Sequence, residues 1–440
     1  MDRPARSEGD VHLVSRSWYA SGAARSAKAT RGATVHDEEP GGSTQSQPTP
    51  GAVIPLSRPS WVGRERDYVL AAMASEIHQG DGPFTRRCHA LLEERLGVAR
   101  ALLTTSCTTA LEMAAILARR VDPGRFAGEV ICPSYTFPST AGAFALHGYE
   151  PVFADVRADT LNLDESKVEA LITPRTRAIV AVHYAGVPCE MDALARIARA
   201  HDLVLVEDAA QAIFSRYHGR PAGALGDMAA FSFHATKNLS CGEGGAITFR
   251  DEGWVARAEI IREKGTNRDQ FQRGLVDKYT WVDHGGSYLP SELLAACLLA
   301  QLEDAEAIQA RRRACYEQYL ARLAPLADAG LLRLPVVPEG VESNHHLFFV
   351  RVDSADTRDR LTHALEAEGI TALFHYAALH RTPMGRRFGE RSLPVAEEAA
   401  RTVLRLPLYA GLALEDVDRV GDAIERFYGT SRAWSGACAT

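Results

Sequence analysis

From Val53 onward, short and almost unbroken apolar runs alternate with stretches whose apolar residues recur at helical spacing. The runs at 101–103, 129–132, 151–156, 178–182, 203–206 and 246–249 are too short for helices. Their continuous hydrophobicity predicts strands covered on both faces. Helical spacing marks 67–77, 84–96, 110–117, 252–263 and a long amphipathic stretch from 291 to about 323. Strands that alternate with helices predict a mostly parallel sheet flanked by helices, an α/β domain over residues 53–310. The pattern then changes. Residues 346–352 alternate as a strand, 357–368 are helical, 370–376 read as a second strand and 416–428 as a closing helix. That order predicts a smaller α+β domain over residues 311–440. No internal repeat is visible.

Two stretches show no such period. Residues 264–288 form a polar and aromatic insertion without evident secondary structure, and long loops of this kind are often functional. Residues 1–52 are rich in Ser, Ala, Arg, Gly, Thr and Pro, and bury too little to offset chain entropy. A disordered extension, or a start codon set too early, is the expectation there. The acidic residues Glu8, Asp10, Asp37, Glu38 and Glu39 argue against a transit peptide.

Composition narrows the classes. A chain of 440 residues with 46% hydrophobic and 24% charged residues is an ordinary globular protein of at least two domains. A formal net charge of -7 excludes a nucleic-acid partner or a polybasic membrane surface as the leading role. No apolar run approaches the ~20 residues that cross a bilayer. The eight cysteines are scattered without a C-x-x-C pair, which suits reduced thiols in the cytoplasm and neither a disulfide framework nor a metal site.

Four local features carry candidate chemistry. Lysine occurs only five times, and Lys237 stands just after the apolar run Ala230-Phe231-Ser232-Phe233, beyond His234-Ala235-Thr236. A lysine desolvated there has a lowered pKa and a free lone pair for Schiff-base formation; a surface-loop lysine is the plain alternative. Ser106, Thr108 and Thr109 crowd hydroxyls onto a helix start, where free N–H groups bind anions, or where they simply cap. Phe137, in a loop after a strand, can lie against a flat ring or pack as any loop aromatic. Glu207 and Asp208 end the most apolar strand, where ligands of open α/β sheets bind, or where an acid caps the next helix. One ligand meets all four demands: a phosphorylated, aromatic, nitrogen-containing aldehyde. That is pyridoxal 5′-phosphate, with Lys237 on the aldehyde and Asp208 on the ring nitrogen.

The runs Pro133-Ser134-Tyr135-Thr136-Phe137, Val206-Glu207-Asp208-Ala209-Ala210-Gln211 and Phe231-Ser232-Phe233-His234, with Thr236-Lys237-Asn238, resemble the DegT/DnrJ/EryC1/StrS sugar aminotransferases. Further stretches are similar to the dTDP-4-amino-4,6-dideoxygalactose transaminase subgroup. They include Gly80-Asp81-Gly82-Pro83-Phe84-Thr85, His183-Tyr184-Ala185-Gly186-Val187-Pro188-Cys189, Lys264-Gly265-Thr266-Asn267-Arg268 and Phe374-His375-Tyr376. The resemblance implies an aspartate-aminotransferase-like (fold type I) transferase across 53–428. It also implies a Schiff-base role for Lys237, contact of Asp208 with the pyridine nitrogen, and a place for Gln211 beside the phenolic oxygen. Thr108, Thr109 and Ser232 fall on phosphate contacts, and Phe137 on the stacking ring. Ser287 stands where relatives supply an asparagine to the partner subunit's phosphate, so a homodimer with shared sites is implied. Ala235 replaces a frequent glutamate.

The implied reaction is transamination of dTDP-4-keto-6-deoxy-D-glucose by L-glutamate to dTDP-4-amino-4,6-dideoxy-D-galactose and 2-oxoglutarate. His375, Tyr376 and His380 are the candidate substrate-binding residues. Two alternatives stay open: transamination at C3 or of another nucleotide-linked keto sugar, and a non-catalytic binding protein on the same fold.

Overall fold

The computed structural model describes residues 53–119 and 127–437, with side chains to residue 429. The extension expected over 1–52 lies outside the described residues. A seven-stranded sheet runs in the order Arg100–Thr104, Gly245–Phe249, Met228–Ser232, Val204–Asp208, Thr176–Val182, Gly128–Pro133, Tyr149–Ala154. Only Gly245–Phe249 is antiparallel to its neighbours.

Alternation along each strand feeds the two faces. Val130, Val180, Val204, Val206, Ala230 and Ile247 point to one face, under the helix Cys107–Leu117. Ile131, Ile179, Ala181 and Leu205 point to the other, under the helix Met191–Ala200. Further along that second face, Ala101, Leu103, Phe231 and Ala246 meet the helices Pro83–Leu96 and Glu292–Glu303. The unbroken apolar runs of the sequence are therefore strands buried on both faces.

The C-terminal part has its own core. Antiparallel strands Phe348–Arg351, Val403–Leu406 and Leu373–Phe374 carry Phe348, Val350, Leu404 and Leu406 into a cluster with the helices Ala305–Asp328, Ala355–Ala367 and Leu414–Ala437. Ile54 joins this cluster, and its N–H and carbonyl pair with Gly369 and Thr371 at 2.9 Å each.

Two expectations need correction. The long helix from 291 is two helices, Glu292–Glu303 and Ala305–Asp328. Asp304 leaves helical geometry (φ -104°, ψ 14°) and its carboxylate accepts from Arg64 at 2.6 Å. The strand expected over 370–376 is only Leu373–Phe374. Ile370 bridges Ile54 instead, and beyond Phe374 the chain turns away to deliver His375 and Tyr376 to the edge of the large sheet. Residues 264–288 are irregular apart from the short helix Arg268–Gln272.

Candidate active site

The parallel strands end along one edge, where open α/β sheets bind ligands. Register places Val182, Asp208 and Ala230 at one level, and Thr104, Gly245 and Ser232 at another. Asp208 lies on the face covered by helix Cys107–Leu117, and Cys107 Sγ is 4.0 Å from its Oδ1. Thr140 Oγ1 donates to Asp208 Oδ2 at 2.6 Å, and the Ala210 N–H donates to Oδ1 at 3.2 Å. Burial raises the pKa of this carboxyl, while the Thr140 and Ala210 hydrogen bonds and the Lys237 charge oppose the rise. Sequence reasoning missed Thr140. It lies three residues after Phe137, in the first turn of helix Pro138–Leu146, and its nearness in sequence to that aromatic was the available signal.

Glu207 faces the other way and has a different task. Its Oε1 accepts from the N–H groups of Leu225 (2.8 Å) and Gly226 (2.7 Å), and its Oε2 from Gly223 N–H (2.8 Å) and His183 Nε2 (2.9 Å). His183 Nδ1 accepts from Cys189 N–H at 3.2 Å, so the Nε2 proton is the one given to Glu207. Glu207 is a buried knot that shapes 223–226. Glu207→Ala strands three backbone donors and a histidine, and is expected to cost about 3 kcal/mol in urea denaturation. Unchanged stability would refute this role.

Lys237 sits on a tight turn five residues past the end of strand Met228–Ser232, its N–H bonded to His234 O at 2.9 Å. The next residue is pinned: Asn238 donates to Asn344 O and accepts from His346 Nδ1, both at 2.8 Å. Among the described residues no hydrogen bond or ion pair engages Lys237 Nζ. Burial lowers the pKa of this amine; Cys107 and Asp208 pull it back up, and Arg405 pushes it further down. A positioned, uncommitted amine within electrostatic reach of a buried carboxylate suits nucleophilic and proton-transfer chemistry.

The helix start is built as expected, with its hydroxyls divided in use. Ser106 caps it, accepting from Thr109 N–H at 3.1 Å, while Thr109 Oγ1 accepts from Ser106 N–H at 3.1 Å and donates to Ser106 O at 2.8 Å. Thr109 is thereby drawn into the cap. Among the described residues, the Thr108 hydroxyl and the N–H groups of Cys107 and Thr108 make no hydrogen bond. A Cβ on Gly245 would fall 2.3 Å from Ser106 C and 2.5 Å from Cys107 N, so only glycine lets this strand lie against the helix start. Ser232, paired with Gly245, accepts from His234 N–H at 3.4 Å.

Aromatic and polar groups close the remaining sides. Phe137 is 56% exposed, and its ring centre lies 6.1 Å from that of Tyr376. Gln211 accepts from Ala185 N–H at 2.7 Å and donates to Tyr376 OH at 2.9 Å. His375 Nδ1 lies 3.1 Å from Tyr184 OH. His380 is placed differently: its ring nitrogens meet Ser134 Oγ at 2.6 Å and Glu397 at 3.0 Å, and it is 1% exposed, so it braces the loop. Ser287 is exposed, one residue before Tyr288, whose carbonyl accepts from Thr105 N–H at 2.9 Å.

These groups fit pyridoxal phosphate. Free N–H groups and hydroxyls suit its phosphate, Phe137 its ring face, Asp208 its ring nitrogen and Lys237 its aldehyde. Among the described residues no cluster of His, Cys, Asp and Glu is fit to hold a metal, and no helix is long and apolar enough to cross a membrane.

Comparison with known proteins agrees. The profile of the DegT/DnrJ/EryC1/StrS aminotransferase family matches residues 60–425. GDP-perosamine synthase of Caulobacter vibrioides is 35% identical over 381 residues, covering 85% of this chain and 98% of that protein. The crystal structure of DesI in the presence of its TDP-sugar product superposes with a TM-score of 0.78 at 31% identity, over 88% of this chain and 96% of that one. Spr1654 of Streptococcus pneumoniae, solved in a PLP form, gives 0.77 at 26% identity, over 86% and 99%.

Proposed function

This chain belongs to the DegT/DnrJ/EryC1/StrS aminotransferase family, and from that premise we propose that it aminates a nucleotide-linked 4-keto-6-deoxy sugar. The proposed reaction takes dTDP-4-keto-6-deoxy-D-glucose and L-glutamate to dTDP-4-amino-4,6-dideoxy-D-galactose and 2-oxoglutarate. It is an aminotransferase, and pyridoxal phosphate is its cofactor. When bound, the cofactor supplies an electron-withdrawing ring that stabilises negative charge at the carbon losing its proton and carries the amino group between substrates.

The chain's own residues supply the rest. The observation that carries the reading is the uncommitted Lys237 amine, held on a turn past strand Met228–Ser232 and within electrostatic reach of Asp208 at the end of the neighbouring strand. Lys237 takes the proton from the donor's α-carbon and returns one to the sugar carbon. Asp208, oriented by Thr140, holds the proton on the ring nitrogen. Thr108, Ser232 and the helix start bind the phosphate, Phe137 covers the ring, and Gln211 sits by the phenolic oxygen. Ser287, exposed in one chain, completes the phosphate site of a second copy in a homodimer. His375 and Tyr376 face the sugar.

A GDP-linked 4-keto-6-deoxy sugar is the second reading, favoured by the 35% identity to a GDP-perosamine synthase; the DesI structure with its TDP-sugar product supports the first. The test is incubation with L-glutamate and each keto sugar, followed by NMR of the product. A 4-amino sugar from the dTDP substrate alone is the expected result. Amination at C3, or of the GDP sugar alone, would replace it. No amination of either by cofactor-loaded protein would overturn the sugar assignment.

A further inference from the structure

The chain crosses from the large domain to the C-terminal sheet at residues 343–347, between the strands Val341–Glu342 and Phe348–Arg351. The first strand pairs with Arg216–Tyr217 of the large domain, the second with Val403–Leu406 of the C-terminal sheet. The crossover is held along its length. Asn344 donates its N–H to Ser215 Oγ at 3.1 Å and its Nδ2 to Ile213 O at 3.0 Å. Arg312, on the helix Ala305–Asp328, donates Nε to His345 O at 3.1 Å and Nη2 to His346 O.

One side chain ties this crossover to the turn that bears Lys237. Backbone bonds close the turn on itself: Ala235 N–H meets Gly242 O at 2.8 Å and Cys241 N–H meets Phe233 O at 3.0 Å. Residues 234–237 are half-buried or exposed, and burial resumes at Asn238, 1% exposed. Among the described residues, the hydrogen bonds of Asn238 are the only ones that join the turn to the crossover. Asn344 O can only accept, so the Asn238 amide nitrogen faces it, at 2.8 Å. The amide oxygen is left for His346 Nδ1, also at 2.8 Å, and that nitrogen therefore carries the imidazole proton. Burial, and after it the charges of Lys237, Arg312, Arg405 and His375, holds His346 well below the usual histidine range, so its ring is neutral.

We propose that Asn238 is the positioning residue of Lys237: bonded to Asn344 O and to the Nδ1–H of His346, it seats the turn so that the preceding residue's amine stays within reach of Asp208. The Lys237 side chain is a flexible four-carbon stem, and its Nζ is uncommitted, so the amine goes where the turn holds its Cα. Without Asn238 the open side of the turn has only its own backbone bonds, while Asn344 O and His346 Nδ1 lose a buried partner. The turn then lifts toward water, away from the groups that face the amine: Cys107, Asp208 and Arg405, with His346 behind them. The catalytic consequence rests on the reading of Lys237 as the reacting amine; the placement itself does not.

The test reads Lys237 directly. In the full chain without cofactor, acetylation of Lys237 by acetic anhydride is followed by mass spectrometry against pH, since only the neutral amine reacts. The parent midpoint should lie below the ordinary lysine value of about 10.4, because burial lowers it. Asn238→Ala should raise that midpoint by roughly a unit as the released amine gains water. His346→Asn keeps an N–H where the imidazole has one and should stay with the parent, whereas His346→Leu should follow Asn238→Ala. In the holoenzyme, Asn238→Ala should lower kcat roughly a hundredfold, the scale of a misplaced reacting group. Its half-saturation for glutamate and for the keto sugar should stay within about twofold of the parent. A parent-like midpoint in Asn238→Ala overturns the proposal. So does a His346→Asn midpoint as high as that of His346→Leu, which would make the bulk of the ring the requirement and not its N–H. A raised midpoint with parent-like turnover would keep the positioning and remove Lys237 from the chemistry.

Discussion

Lys237→Ala should lose turnover by roughly 10⁴-fold or more, because in the proposed reaction one amine serves both as the cofactor's anchor and as the proton carrier. No other residue is placed to replace it. His346 is bonded to Asn238, His375 to Tyr184, and burial drives both rings to low pKa. The fold should survive the change, since Lys237 gives the surrounding structure only its backbone N–H. The loss is thus expected without a lowered thermal midpoint. A second measurement separates anchor from base. Borohydride reduction followed by mass spectrometry should fix the cofactor to the parent chain at Lys237 and leave the variant unlabelled. Normal turnover in the variant, or labelling at another lysine, would sink the assignment.

The sequence made Lys237 legible because its signal is local: a scarce amine at the end of an apolar run. The helix start was legible for the same reason, and the sheet followed from unbroken apolar runs that only a doubly covered strand explains. Legibility fell where the answer depends on distant pairings. Glu207 and Asp208 are adjacent and chemically alike, and only the strand's alternation, combined with knowledge of which face carries helix Cys107–Leu117, separates a buried knot from a site carboxylate. Thr140 matters because a helix 68 residues earlier in the chain begins over Asp208. His380 looked like a substrate residue beside Tyr376, yet Glu397, a helix further on, claims its ring. Ile54 reads as the edge of a tail and instead completes the C-terminal core.

Asp208→Asn should reduce turnover roughly 10³-fold, the scale of losing a preorganised electrostatic partner of the reacting system, and should at the same time stabilise the cofactor-free protein at neutral pH. The two effects share one cause. An amide of the same shape keeps its oxygen for the Ala210 N–H and gives an N–H to the Thr140 hydroxyl, which can turn its own proton to Thr136, but it cannot hold a proton on the ring nitrogen. Without cofactor, the carboxylate is a buried charge whose pKa burial has raised. A group whose folded pKa lies above its unfolded value of about 3.9 lends stability that is fully present below that value. This stability is lost as pH rises through the folded pKa. At pH 7 the apoprotein therefore bears the full penalty of ionising Asp208, and the amide removes it. Thermal midpoints of the two apoproteins should accordingly diverge at pH 7 in favour of Asp208→Asn and converge as the pH falls toward 4. With cofactor bound, the order should reverse, because the ring nitrogen's proton gives the carboxylate the partner it otherwise lacks. An apo variant less stable than the parent at pH 7 would show that Thr140, Ala210 and Lys237 already satisfy the carboxylate. In that case Asp208 would be a structural acid like its neighbour Glu207, and the ring nitrogen would need another partner.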